Sequence, residues 1–172
     1  MCIRDRHFPV YTLGFGASDD HLLTKSNIPV IRSDRGGEVT YHGPGQIVAY
    51  FLINLRRKKW GPKRFVNELE ASVIDFLKKY NISSSRQPGD PGIYVKDKKI
   101  SSVGLKIKRG FSYHGLSINI DMDLSPFKNI NVCGHKSLKV THQNKFAEVP
   151  IERAFKDLEK TAKKRFEGIV SK

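Results

Sequence analysis

Three observations predict an α/β or α+β fold with a mixed β-sheet and flanking helices. Strand-like apolar runs dominate the middle of the chain. Two longer segments place apolar residues three and four apart, the period of a helix face and not of a strand. Glycine and proline clusters punctuate the boundaries between these segments, which marks turns. The chain has 172 residues with no internal repeat, linker or low-complexity stretch, so it reads as one domain with a substantial core.

Residues 8–13 form the first expected strand, closed by a turn at Gly14 and Gly16. A short apolar run at 28–31 follows, then breaks at Gly36-Gly37 and at Gly43-Pro44-Gly45. Residues 47–53 are continuously apolar, as in a strand buried on both faces. Gly61-Pro62 opens a helix, since proline is tolerated in the first turn. Phe65, Leu69, Val73, Phe76 and Tyr80 share one of its faces, which is a core stripe. Residues 83–90 are polar with Pro88 and Gly89, hence loop. Runs at 93–95 and 100–107 around a turn at Asp97 suggest a hairpin, and 111–120 a further strand. Residues 121–150 have no sustained period. Ile151, Phe155, Leu158, Ala162 and Phe166 mark a closing amphipathic helix.

Composition narrows the function classes. Apolar residues make up 38% of the chain, a soluble globular value, and no run approaches the ~20 apolar residues of a membrane span. The opening residues lack the apolar core of a secretory signal. Thirty-one Lys and Arg against 17 Asp and Glu give a formal charge of +14, which points to an acidic protein or nucleic-acid partner, or to a solvated basic surface. Two cysteines, Cys2 and Cys133, do not make a disulfide framework, so a reducing, cytoplasmic setting is expected. His7, His21, His42, His114, His135 and His142 show no ligand spacing, and no metal is expected. A nucleic-acid module is disfavoured because no recognition motif accompanies the charge.

Three segments carry chemistry-bearing residues. The run RGGEVTYHGPGQ at 35–46 brings glycines, Arg35 and His42 together between two strands. Its glycines let backbone approach a ligand, but it fits neither the P-loop nor the dinucleotide fingerprint. In KKISSVGL at 98–105, Lys99 has the ordinary reading of a solvated strand lysine. Ser101, Ser102 and Gly104 leave room for something to lie against the strand. In INVCG at 130–134, Cys133 is either a small buried hydrophobe or a loop nucleophile, and spacing alone leaves both readings open.

Taken together, RGGEVTYHGPGQ, the long run from Lys98 to Phe127 and INVCG resemble the lipoyl(octanoyl) transferases over nearly the whole chain from about His7 onward. The resemblance implies a fold like that of the lipoate and biotin protein ligases, with a sheet and helices around an acyl-binding tunnel. It implies transfer of an octanoyl group from octanoyl-acyl carrier protein to a lysine of lipoyl domains, in 2-oxoacid dehydrogenases and the glycine cleavage H protein, as a step of lipoate biosynthesis. No cofactor, membrane or nucleic acid is implied. Cys133 and Lys99 fall at the family's catalytic pair. The expected substrate-binding residues are Arg35, Gly36, Gly37, Glu38, Val39, Thr40, Tyr41 and His42, with Ser102, Val103 and Gly104, and Gly115, Leu116 and Ser117. A Lys99 ammonium near Cys133 is expected to lower the thiol pKa. The rival within the fold is an ATP-dependent lipoate-protein ligase, which needs no nucleophilic cysteine.

The domain is expected to span 7–172. Residues 1–6, MCIRDR, match nothing in the family, whose members place a helix ahead of this strand. These first residues are expected to be loosely held, with apolar surface left beside the strand at 8–13.

Overall fold

The computed structural model describes residues 2–5 and 7–167. Strands β1 (Cys2–Asp5), β2 (Val10–Leu13), β3 (Val30–Arg32), β4 (Val39–His42) and β5 (Gln46–Phe51) precede helix α1 (Pro62–Lys78). Strands β6 (Ser85–Gln87), β7 (Asp90–Val95), β8 (Lys98–Lys108) and β9 (Phe111–Asn119) follow, and α2 (Ile151–Glu167) closes the order. Two sheets result. The larger runs β1-β5-β9-β8-β7-β6, and every pairing in it is antiparallel. The smaller runs β3-β2-β4, with β2 parallel to β3 and antiparallel to β4, so the mixed pairing of the α+β fold resides there.

The period of each segment explains its place. Phe65, Leu69, Val73, Phe76 and Leu77 give α1 one wholly buried face, and Ala154, Leu158, Ala162 and Phe166 do the same for α2. Both helices share a core with β5, β7, β8 and β9. Each such large side chain contributes roughly 1.5–3 kcal/mol on burial. Strand β5 divides its residues by alternation. Ile47, Ala49 and Phe51 join the helix-side core, while Val48 and Tyr50 line a cavity toward the small sheet. Tyr80 lies beyond the end of α1, and its hydroxyl donates to Asp157 of α2 at 2.6 Å. A second core holds Tyr11, Leu13, Val39, Tyr41, Met122 and Phe127, tying the small sheet to the segment after β9.

Three expectations need correction. The glycine-rich segment contains a strand, β4, because Val39-Thr40-Tyr41-His42 has the β-branched and aromatic composition that a sheet accommodates. The loop expected at 83–90 contains β6, which pairs with β7 at the sheet edge. Cys2–Asp5 is paired along β5 from Cys2↔Phe51 to Asp5↔Val48, where a loosely held stretch was expected. Met1 and Arg6 fall outside the described residues. Apolar surface does lie near β2: Phe8 and Phe15 are exposed, as are Val30 and Ile31 on β3. No helix among the described residues is long and apolar enough to cross a membrane.

Candidate active site

The two sheets border a cavity of about 610 Å³, within the range of small-molecule sites. Most of the expected substrate-binding residues meet on its wall. Arg35, Gly37, Glu38, Val39, Thr40 and His42 come from the glycine-rich segment and β4. Ser102, Val103 and Gly104 come from β8, and Gly115, Leu116 and Ser117 from β9. Gly36 and Tyr41 are not on the wall. The Gly36 amide donates to Leu105 O at 2.8 Å and so docks the loop on β8. Tyr41 packs edge-on against Phe127 in the second core, facing away from its neighbours Thr40 and His42 as strand alternation requires.

Arg35 holds the glycine-rich turn together. Its guanidinium donates to Thr12 O at 2.6 Å, to Thr12 Oγ1, to Glu38 O at 2.8 Å and to Gly36 O. Its donors thus serve the protein's own carbonyls, while its charge remains at the cavity wall. Gly104 permits this arrangement, since a Cβ there would come within 3.1 Å of Arg35 Cδ. His42 is oriented by a relay of amides. Thr141 O accepts from Asn119 Nδ2, Asn119 Oδ1 accepts from Gln46 Nε2, and so Gln46 Oε1 accepts the proton on His42 Nδ1 at 2.7 Å. At the rim, Lys106 and His114 each reach Asp34 at 2.6 Å and hold its carboxyl down to about 2.

Cys133 also lines the cavity, in a short 3₁₀ turn at Val132–Gly134. Its φ of 53° is left-handed, a conformation uncommon for a side chain with a Cβ and frequent at sites where geometry is imposed. The turn is closed by Gly134 N donating to Asn131 O and His135 N to Val132 O. Beside Gly134 lie His21 and Glu38, 3.7 Å apart.

Lys99 is buried, at 1% exposure, where a solvated lysine is the ordinary case. Its Nζ lies 3.0 Å from Cys133 Sγ and 2.6 Å from Asp90 Oδ1. Local strand geometry produces this. Ile93 pairs with Ser101 but Tyr94 pairs with Lys99, so Ile100 is an extra residue, a β-bulge. A bulge re-aims the side chains beside it. Tyr94 and Lys99, as a cross-strand pair, then share a face, with Nζ 5.5 Å from the phenol ring. On its other flank, Lys99 N donates to Lys139 O and Lys99 O accepts from Thr141 N, which extends the sheet past the end of β9.

The electrostatics differ from the sequence expectation. Burial pushes the Cys133 thiol up. Lys99, by charge and hydrogen bond, pulls it down without overcoming burial, and Asp90 adds to the rise. The expected net lowering is therefore absent, because desolvation of a thiolate outweighs one neighbouring ammonium. Burial and the hydrogen bond to Asp90 hold the Tyr94 phenol protonated, so its hydroxyl donates to Asp90 Oδ2. Asp90, Tyr94 and Gly92 were not singled out in the sequence. The one available signal was their position in the strand that pairs with the KKISSVGL segment.

A thiol beside a buried ammonium, opening on an apolar-walled cavity, can attack an acyl group and manage the protons of that transfer. Among the described residues, no group of three or more His, Cys, Asp or Glu side chains is placed to hold a metal.

This fold is shared by the lipoate and biotin protein ligases. A bi-partite lipoate protein ligase from Thermoplasma acidophilum superposes with a TM-score of 0.78 at 13% identity, over 96% of this chain and 71% of that one. A biotin protein ligase from Aquifex aeolicus gives 0.59 at 14% identity, over 94% and 69%. The lipoyl protein ligase A/B catalytic domain matches residues 4–165, and the chain belongs to that family. It is 57% identical over 134 residues to an octanoyltransferase of Vibrio atlanticus (strain LGP32), covering 78% of this chain and 61% of that protein. It is 51% identical over 152 residues to an octanoyltransferase of Vibrio cholerae serotype O1, covering 88% and 70%. The chain thus spans about three fifths of the length of the first of these relatives.

Proposed function

We propose that this chain is an octanoyltransferase acting in protein lipoylation, with Cys133 as the acyl carrier and Lys99 as its proton partner. The contact of Lys99 Nζ with Cys133 Sγ at 3.0 Å, where Cys133 lines the cavity, carries the reading. The names of the relatives supply the acyl group. Octanoyl-acyl carrier protein is the donor, and the acceptors are lysines of lipoyl domains, in 2-oxoacid dehydrogenases and the glycine cleavage H protein.

Protons balance over two transfers. The Cys133 thiolate attacks the donor thioester, and the leaving carrier thiolate takes a proton from the Lys99 ammonium. The acceptor amine then attacks the Cys133 thioester. Its excess proton passes to the Lys99 amine as the thiolate leaves, which restores the pair. Arg35, Gly37, Glu38, Val39, Thr40 and His42, with the small residues Ser102, Gly104, Gly115 and Ser117, bound the acyl chain. No ATP enters, because the acyl group arrives already activated as a thioester.

Incubation with octanoyl-acyl carrier protein, without ATP, should add one octanoyl mass that hydroxylamine removes. Cys133→Ser should abolish it. Labelling that survives this substitution, or that needs ATP, overturns the reading.

A further inference from the structure

Lys99 presents a problem that the Cys133 contact does not solve. An ammonium with 1% exposure needs a counter-charge, because an unpaired buried charge neutralises itself. Cys133, kept as a thiol by its burial, is not that charge in the resting site. The carboxylate in contact with Lys99 is Asp90, with Oδ1 2.6 Å from Nζ and a side chain 15% exposed. Its second oxygen accepts from the buried Tyr94 hydroxyl, so Asp90 is itself fixed from β7. Gly92, two residues on, leaves the space that the Lys99 stem occupies, since a Cβ there would fall 2.6 Å from Lys99 Cε.

We propose that Asp90 is a positioning residue, whose carboxylate holds Lys99 as an ammonium aimed at Cys133 and so sets the pair at rest as thiol and ammonium. The proposal rests on the acyl-transfer reading of this site: the resting thiol gives its proton to solvent before Cys133 attacks as the thiolate, and regains one from solvent once the thiolate is released. With Asp90 in place, the ammonium is ready to protonate the leaving thiolate. After that proton has gone, the amine held against Asp90 stays beside Cys133, in place to take the next one, which the acceptor amine supplies. Without Asp90, the thiolate would become the only anion available to Lys99, and the pair would rest with one proton fewer at a given pH.

Other ionisable groups face this site. Arg35 acts on Cys133 from the glycine-rich turn, and His21 and Glu38 flank Gly134. Glu70 of α1 accepts from Gly92 N, and His135 Nε2 lies 4.0 Å from Asp90 Oδ2. Of these, His135 is the one that reaches the Asp90 carboxylate, and it is removed as a control.

The test is the pH dependence of Cys133 alkylation by iodoacetamide, which needs no acyl donor. Asp90→Asn should move the inflection down by about one pH unit, and Asp90→Glu should restore it. The change should persist in a His135→Gln background. An unchanged or raised inflection in Asp90→Asn overturns the proposal. So does an Asp90→Glu variant that moves as far as Asp90→Asn, or a change that vanishes with His135. Should Asp90→Asn not fold, Asp90→Ser carries the same expectation. Because alkylation is read apart from octanoyl labelling, a lowered inflection in a chain that takes no acyl group would sink the proposed activity and leave the role of Asp90 standing.

Discussion

Lys99 and Cys133 stand 34 residues apart in the chain and 3.0 Å apart in space, the ammonium donating to the sulfur. That contact favours the thiolate against the burial that opposes it. Lys99→Met should therefore raise the pH at which Cys133 alkylates. A rise of about one pH unit corresponds to about a tenfold loss of thiolate below the inflection, or ~1.4 kcal/mol. The sign follows from removing a cation that stabilises the charged form. Lys98→Met is the control, because Lys98 is exposed on the opposite face of β8. An alkylation profile that Lys99→Met leaves in place would remove the lysine from the electrostatics of the thiol.

Gly92 tests the same geometry from beneath. Its φ is +141°, a region strained for any L side chain, and a Cβ would meet Ser101 O at 2.4 Å and Lys99 Cε at 2.6 Å. The backbone oxygen belongs to the β7–β8 ladder and cannot withdraw without breaking it. Gly92→Ala should destabilise the fold by about 1–3 kcal/mol and weaken the reach of Lys99 to Cys133. Thermal unfolding and iodoacetamide reactivity read the two effects separately. A wild-type midpoint together with wild-type reactivity would show that neither constraint operates.

What was legible in the sequence was periodic or contiguous. The core faces of α1 and α2 could be read because Phe65, Leu69 and Val73, or Leu158 and Ala162, repeat at helical spacing. The cavity residues could be named through the resemblance because they lie in unbroken runs. The burial of Lys99 could not be read, since it depends on a bulge at Ile100 that changes the phase of β8 against β7. Asp90 looked like loop beside Pro88 and Gly89, and becomes part of the site only when β7 pairs with β8. Tyr41 was grouped with its neighbours, although alternation sends every second residue of a strand to the other face. The net effect on Cys133 was missed because a sequence displays charges but not desolvation.

The charge of +14 gives a kinetic expectation under the proposed function. If the acyl donor is an acidic carrier protein, long-range attraction should speed encounter. Salt shortens the Debye length from ~10 Å at 0.1 M to ~3 Å at 1 M. The transfer rate at low donor concentration should fall over that interval, and at saturating donor it should change little. Steering acts on association and leaves the chemical step alone. A rate independent of salt at low donor would reduce the surplus charge to a solvated surface.

Asp157 provides a test of stability away from the cavity. It lies on the inner side of α2, where Lys79 reaches it at 2.5 Å, Tyr80 at 2.6 Å and Arg153 at 3.0 Å. Hydrogen bonds from Lys79, then Tyr80 and Arg153, hold its carboxyl well below the usual carboxylate range. A carboxylate depressed on folding contributes stability that is fully present above its unfolded value of ~3.9 and is lost as pH falls through the folded one. Asp157→Asn should thus cost about 1–2 kcal/mol at neutral pH, at the low end for a charged hydrogen-bond network because Lys79 and Arg153 are partly exposed. The difference from wild type should hold steady down to about pH 5 and shrink below it, since the wild-type carboxylate is then protonated at folding's expense. Urea unfolding of both chains from pH 7 to pH 3 measures this directly. A difference that stays constant across the interval would mean that the Asn replacement acts through packing between α1 and α2, and that the charge of Asp157 does not hold the helices together.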